Sequence, residues 1–205
     1  SGSSNYTNAR YSIVAGYCNQ IVSPTNECCS RAATISGGLG HNSSGGTIDG
    51  TTGNITGTIT CCNAGAFSTI GGGCRNVTTG ANSTISGGDT NTASGSQSTI
   101  SGGTGSTASG IWSTVGGGYQ NNSSNSSATI GGGSLNIASG NSSTVGGGGR
   151  NSASGYRSTV GGGYLGGAGG SYSTVGGGLS NTASGTHSTV SGGSGNTASA
   201  SYSTV

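Results

Sequence analysis

The stretch Ser68-Thr69-Ile70-Gly71-Gly72-Gly73 opens a repeat of fifteen residues that decides the fold. Its third position is β-branched in ten consecutive copies, which are Ile70, Ile85, Ile100, Val115, Ile130, Val145, Val160, Val175, Val190 and Val205. β-Branched side chains favour strands. A constant period of this length indicates one stacked unit per repeat, so the sequence predicts a solenoid in which each repeat forms one coil.

A second small position follows the β-branched one after eight residues. It is threonine or serine in two copies, as Thr78 and Ser123, and alanine in the others, which are Ala93, Ala108, Ala138, Ala153, Ala168, Ala183 and Ala198. Because eight and seven residues divide the coil nearly in half, we predict an all-β, single-domain β-solenoid, or β-roll, of about 15-residue coils. Each coil would contain two short parallel strands, with Val or Ile facing Ala and successive coils about 4.7 Å apart.

Polar residues also recur at fixed positions of the coil. Alternation along Ser-Thr-Val places Ser and Val inward and Thr outward, so the threonines from Thr69 to Thr204 should form one outward rank. A column of asparagines comprises Asn76, Asn91, Asn121, Asn136, Asn151, Asn181 and Asn196. These amides either stack from coil to coil or bond the backbone at the turn, and ligand contact is the alternative.

Glycines recur where the chain should turn. Those at the positions of Gly72, Gly73 and Gly80 are present in nearly every copy, and we expect positive φ angles there. Asn125 replaces the last of them in one copy, and asparagine tolerates the left-handed conformation better than most other residues. The glycines are therefore predicted to form the corners of the coil.

Units such as Asn181-Thr182-Ala183-Ser184-Gly185-Thr186-His187-Ser188-Thr189-Val190 resemble the head repeats of trimeric autotransporter adhesins, whose pattern runs N-S-x-A-x-G-x-x-S-x-x-x-G. The resemblance covers roughly residues 68–205 and, more loosely, Tyr11–Asn19. It implies a left-handed parallel β-roll, three chains side by side, and a place on a bacterial surface. The chain departs from the family pattern in its period, since fourteen residues are commoner there, and in its six cysteines.

Composition excludes several classes of partner. The 205 residues contain only eight charged side chains, which are Arg10, Arg31, Arg75, Arg150, Arg157, Glu27, Asp49 and Asp89. So few cations, with no basic stripe, argue against nucleic acid binding. No apolar run is long enough for a membrane span. The chain begins at Ser1 and lacks lysine and methionine, which suggests a mature or trimmed chain that is secreted to the cell surface or beyond.

The first third of the chain is less regular than the rest. We expect residues 1–67 to form irregular coils and residues 68–205 to form the regular solenoid. Tyr11–Asn19 matches one shortened copy of the repeat, and an inserted loop near residues 20–33 contains the only proline. Thr34-Ile35 should restart the roll, which Thr47-Ile48 and Thr58-Ile59 would continue at shorter spacings.

All six cysteines lie in or next to this irregular part, as Cys18, Cys28, Cys29, Cys61, Cys62 and Cys74. An even number there predicts intrachain disulfides formed in an oxidising compartment. Fifteen pairings are possible for six cysteines. We favour Cys74 with Cys62 or Cys61, and next Cys18 with Cys28 or Cys29. Zinc is the less favoured alternative, because the sequence has no C-x-x-C spacing.

The sequence offers no constellation for catalysis. The two histidines, His41 and His187, lie far apart in the chain and are predicted to be surface residues. No nucleophile elbow, phosphate-binding loop or recurring Asp for calcium is present. We therefore expect no enzymatic activity, no cofactor and no metal site.

Surface chemistry leaves two further expectations. Nine N-glycosylation sequons are candidates for glycans, at Asn5, Asn42, Asn54, Asn76, Asn82, Asn121, Asn122, Asn125 and Asn141. Aromatic residues fall outside the inward positions, as Phe67, Trp112, Tyr119, Tyr156, Tyr164, Tyr172 and Tyr202. They are scattered surface residues, contacts between neighbouring rolls, or platforms for carbohydrate.

Three functions are compatible with these patterns: a structural subunit of an extracellular filament, a trimeric adhesin head, and an ice-binding solenoid suggested by the threonine rank. We favour the filament. The sequence after Val205 would continue in phase with Ser1, so the chain ends should join head to tail with other copies. The residues expected at this junction are Ser1, Gly2, Asn5, Val14, Tyr202 and Val205.

Overall fold

The computed structural model describes residues 5–7, 12–16, 19–21, 33–38, 41, 47–48, 55–56 and 65–205. In these residues parallel strands stack in about nine coils of roughly 15 residues and form a β-solenoid, as predicted. They include no helix, and so none that could cross a membrane. The chain divides into two compact units, unit 1 at Ser1–Gly105 and unit 2 at Ser106–Val205.

The described part of unit 1 contains eleven short strands. They are β1 (Tyr6–Thr7), β2 (Ile13–Val14), β3 (Gln20–Ile21), β4 (Thr34–Ile35), β5 (Thr47–Ile48), β6 (Ile55–Thr56), β7 (Thr69–Ile70), β8 (Val77–Thr78), β9 (Thr84–Ile85), β10 (Thr92–Ala93) and β11 (Thr99–Ile100). One parallel sheet has the order β2-β4-β7-β9-β11. On the other side of the coil β8 pairs with β10, and β1 pairs with β3.

The insertions of unit 1 differ from the prediction. Strand β4 pairs directly with β7, so Thr34 lies beside Thr69. Thr47-Ile48 does not continue the roll, because β5 pairs antiparallel with β6. An antiparallel pair needs only a short connection, whereas a further coil needs two strands in register with its neighbours. Thr58-Ile59 lies outside the described residues.

The predicted loop near residues 20–33 is shorter at both ends. Gln20–Ile21 forms β3, with Gln20 beside Tyr6 of β1. Ala33 is fully buried against Ile35 and Ile70, so the core resumes before β4. Residues 22–32 lie outside the described part of the chain.

Unit 2 contains thirteen strands. They are β12 (Thr107–Ala108), β13 (Thr114–Val115), β14 (Asn122–Ser123), β15 (Thr129–Ile130), β16 (Ile137–Ala138), β17 (Thr144–Val145), β18 (Ser152–Ala153), β19 (Thr159–Val160), β20 (Gly167–Ala168), β21 (Thr174–Val175), β22 (Thr182–Ala183), β23 (Thr189–Val190) and β24 (Thr197–Ala198). The odd-numbered strands form one parallel sheet and the even-numbered strands another. Because partners differ by one repeat, each side chain stacks on its equivalent, as Val145 does on Val160.

The core of unit 2 has the predicted pattern. Val145 and Ala153 are 0% exposed, and their equivalents in the other complete coils are also buried. The outward threonines of the odd-numbered strands are partly exposed. One coil exchanges two residues, with Ala128 at a serine position and Ser123 at an alanine position. The Ser123 hydroxyl donates to the Ala128 carbonyl oxygen at 2.8 Å. Serine and alanine have thus swapped positions, and the interior of that coil still contains one hydroxyl group.

The corners are built differently from the prediction. Gly73 has the expected positive φ of 93°, but Gly72, Gly80 and Asn125 do not. A Cβ at Gly80 would lie 2.0 Å from the carbonyl oxygen of Gly95, so close approach of the next coil requires that glycine. Positive φ angles instead fall on side-chain-bearing residues, which are Phe67, Arg75, Asn82, Thr90, Gln97, Trp112, Gln120, Ser127, Leu135, Ser142, Arg150, Arg157, Leu165, Tyr172, Ser180, His187 and Tyr202.

Candidate functional site

The asparagine column is a buried hydrogen-bond ladder. In unit 2, Nδ2 of Asn136 donates to the carbonyl oxygens of Gly132 and Gly148, both at 2.9 Å. Its Oδ1 accepts the N–H of Asn151 at 2.9 Å. One amide therefore bonds its own turn and the next coil. The predicted bonding of the backbone at the turn is present, and the amides also bond backbone groups of the neighbouring coil.

His41 occupies the asparagine position of its coil in unit 1. Its N–H donates to Oδ1 of Asn19 at 2.9 Å, and its Nδ1 accepts the N–H of Asn76 at 3.0 Å. It is 1% exposed, so the prediction of a surface residue is wrong. The sequence spacing does indicate that His41 takes the asparagine position, because His41 follows Gly38 by three residues, as Asn76 follows Gly73. Burial lowers the pKa of His41.

His187 is exposed, as predicted, and belongs to an aromatic ladder in unit 2. Its ring stacks on Tyr172 at 4.8 Å and on Tyr202 at 4.9 Å, nearly parallel to both. Tyr156 meets Tyr172 edge to face at 5.3 Å, and the Arg157 guanidinium lies 5.2 Å from the Tyr156 ring. Because stacking covers ring faces, this group suits contacts between coils better than a carbohydrate platform. The remaining predicted aromatic positions, Phe67, Trp112, Tyr119 and Tyr164, are exposed.

The glycosylation candidates fall into three groups. Asn76 and Asn121 are buried, and each Nδ2 already donates to two carbonyl oxygens. A glycan on that nitrogen does not fit the folded coil, so these two predictions are withdrawn. Asn5 is partly buried, and the exposed candidates are Asn82, Asn122, Asn125 and Asn141. Asn42 and Asn54 lie outside the described residues.

Cys74 is the one predicted disulfide cysteine within the described residues. It is partly buried, and its N–H donates to the carbonyl oxygen of Gly88 at 2.9 Å. The neighbouring Arg75 forms an ion pair with Asp89 at 3.5 Å. The other five cysteines, and with them every predicted pairing, lie outside this part of the chain.

The residues expected at the N-terminal junction lie within coils. Asn5 belongs to the ladder of unit 1, since its Nδ2 donates to the Gly16 carbonyl oxygen at 2.6 Å and its Oδ1 accepts the Asn19 N–H at 3.1 Å. Val14 packs against the buried cluster that contains Ile35. Ser1 and Gly2 lie outside the described residues.

The residues expected at the C-terminal junction are exposed. Tyr202 is 75% exposed and stacks on His187. Val205 is 51% exposed, and its backbone still pairs with the preceding coil, because its N–H donates to the Thr189 carbonyl oxygen at 2.9 Å.

The outward threonines form the predicted rank on one sheet of each unit. In unit 2, Thr144 lies beside Thr129 and Thr159, and each of these residues is partly exposed. The outward column of the second sheet is mixed, as Thr107, Asn122, Ile137, Ser152, Gly167, Thr182 and Thr197. A uniform hydroxyl and methyl array therefore occurs on one face only.

In the part of the chain that the structure describes, no three His, Cys, Asp or Glu side chains are placed to hold a metal ion. Three features extend over several coils: the asparagine ladder, the aromatic ladder and the threonine rank. The chain matches no protein-family model, and a search of curated proteins found no match.

Proposed function

We propose that the protein is a structural subunit of an extracellular fibre, and that the fibre axis is the axis along which the coils stack. The observation that carries the proposal is the asparagine ladder. Through its backbone and its amide, Asn136 bonds the coil before it, its own coil and the coil after it. Cohesion therefore acts along the stacking axis.

Energetics make this cohesion necessary. Ordering the fifteen residues of a coil costs far more free energy in backbone entropy than burial of one Val and one Ala returns. Each coil consequently depends on its neighbours. A further coil of the same pattern makes the same bonds whichever chain supplies it, so copies would join head to tail by a heterologous contact.

Three properties support a place outside the cell. Charged residues make up 4% of the chain, the cysteine content is even, and several sequons are exposed. The resemblance to adhesin head repeats points to a surface as well. Glycans on the exposed sequons would decorate the fibre without entering its core.

Light scattering and negative-stain electron microscopy test the fibre. The mass should rise with protein concentration, and unbranched filaments should appear. In the proposed assembly Asn196→Ala weakens growth because the added coil loses its amide contact, whereas the outward Asn122→Ala leaves growth unchanged. A monomer at every concentration contradicts the proposal, and a closed trimer favours an adhesin head.

The threonine rank favours ice binding as a second candidate. Its methyl and hydroxyl groups repeat at the strand spacing of about 4.7 Å on one sheet. Thermal hysteresis measures this activity directly. If the rank binds ice, Thr144→Lys should reduce the hysteresis and Thr182→Lys, on the mixed sheet, should not. No hysteresis in the wild-type protein excludes this candidate.

A further inference from the structure

The asparagine ladder of unit 2 is interrupted at Gly166. The N–H of Gly166 still donates to Oδ1 of Asn151 at 2.7 Å, but glycine has no amide to pass on. In the preceding coil, Nδ2 of Asn151 donates to the Gly147 and Gly163 carbonyl oxygens at 2.9 Å. The equivalent oxygens of Gly162 and Gly178 receive no such amide.

The same interruption affects the next asparagine. Elsewhere the N–H of each ladder asparagine donates to the residue one repeat earlier, as Asn196 does to Oδ1 of Asn181 at 2.9 Å. The N–H of Asn181 has no such acceptor, because Gly166 stands one repeat before it. Asn181 is 0% exposed, and a buried N–H without a partner is destabilising because it loses its hydrogen bond to water.

The coils do not close the gap. Beside Gly166, the backbone hydrogen bond from the Gly167 N–H to the Asn181 carbonyl oxygen is 2.8 Å long. The equivalent bond in a complete coil, from Ile137 to Asn151, is also 2.8 Å. Backbone pairing on this sheet thus holds the two pairs of coils at the same spacing, although a Cβ at Gly166 would lie 3.1 Å from Oδ1 of Asn151 and from Cγ1 of Val160.

We propose that the Gly166 gap binds one water molecule. The missing amide group would supply two N–H donors and one oxygen acceptor. Water supplies the same set, and would accept the Asn181 N–H while donating to the carbonyl oxygens of Gly162 and Gly178. An ion matches less well, since a cation would face an N–H and an anion would face two carbonyl oxygens.

Another coil shows that one hydroxyl oxygen is sufficient as the acceptor. Ser106 replaces asparagine in the ladder, and its Oγ accepts the N–H of Asn121 at 3.2 Å. Solvent can reach the gap from the corner, because Gly162 is partly exposed and Gly178 is exposed. The contact between the coils of Gly166 and Asn181 is therefore bridged by solvent where its neighbours use a side chain.

Water-to-amide nuclear Overhauser spectroscopy on the full chain tests the site. The Asn181 amide should show a cross-peak to a long-lived water, and the Asn136 and Asn151 amides should not. Gly166→Asn should abolish that cross-peak and raise the melting temperature, because the side chain restores the ladder and displaces the water. Gly166 has no positive φ, so the backbone accepts asparagine, and the Asn151 and Val160 side chains must shift by a few tenths of an ångström to admit its Cβ.

Gly167→Asn is the matched control, since it adds the same side chain on the outward face of the same coil. It should leave the Asn181 cross-peak intact. A wild-type spectrum without the cross-peak overturns the proposal. A cross-peak that persists in Gly166→Asn also overturns it, because the signal would then come from a nearby hydroxyl group.

Discussion

Many residues other than glycine adopt a left-handed backbone conformation in this fold, and this conformation strains the backbone locally. Trp112 and Leu135 have φ values of 57° and 58°, a region that glycine enters without cost. Residue type gives no signal for it, since neither side chain favours that region. The prediction placed the turns at glycines for this reason. Closure of the coil, and not the local sequence, determines which residues take the strained angles.

Ser180→Gly should therefore stabilise the protein. Ser180 has a φ of 53°, and its equivalent one coil later is Gly195, at 69°. Relief of the left-handed strain exceeds the entropy that glycine adds to the unfolded chain, by about 0.5 kcal/mol. Thermal unfolding measures the change. Ser152→Gly, in a strand without positive φ, should instead lower stability, and equal losses in both variants would contradict this explanation.

His41 should make unit 1 sensitive to acid. Its folded pKa lies below the ordinary value of 6.5, so the unfolded chain binds the proton more readily. The stability contribution is complete above about pH 6.5 and is lost as the pH falls through the folded pKa. Protonation of Nδ1 would also remove the bond from the Asn76 N–H.

His41→Asn restores the residue type found in the rest of the ladder. Melting temperatures measured from pH 7.5 to pH 4.5 should fall for the wild-type protein and change little for this variant. His187 is present in both proteins and serves as the internal control. An equal fall in the two proteins would show that His41 is not responsible.

At the scale of the strands, the pattern of β-branched and small residues predicted the architecture of unit 2. Val145, Ala153 and their equivalents lie where the period places them, because only those positions face inward. The pattern was less informative in unit 1. Thr47-Ile48 resembles a solenoid strand in sequence, yet it pairs with Ile55–Thr56, since the pairing partner depends on distant residues.

Val160→Asp tests the thin core. Val160 is 0% exposed between Val145 and Val175, and a lone carboxylate there finds no charged partner. We expect a loss of about 3–5 kcal/mol in the free energy of unfolding, which urea denaturation would measure. Thr159→Asp, one residue away and facing outward, should change stability by less than about 1 kcal/mol. Similar losses for the two variants would contradict the assigned orientation of β19.

At the scale of the whole molecule, the repeat explains both the predictable and the unpredictable features. The column of asparagines was visible in the sequence, but the exact set of hydrogen bonds was not, because each amide bonds backbone groups of two coils. His41 occupies a place in that column although it is not an asparagine, so residue identity alone does not predict its position. The effect of Gly166 depends on the amides of its neighbours, which bridge coils, so the glycine alone does not predict a gap.

In the proposed fibre, the coils stack along the fibre axis. X-ray diffraction from aligned fibres of the protein tests it most directly, because hydrogen bonds between coils repeat at about 4.7 Å. Coils stacked along the fibre axis should give a strong reflection at this spacing on the meridian, parallel to that axis. Fibres in which the same reflection lies on the equator would place the coils across the axis and contradict the claim.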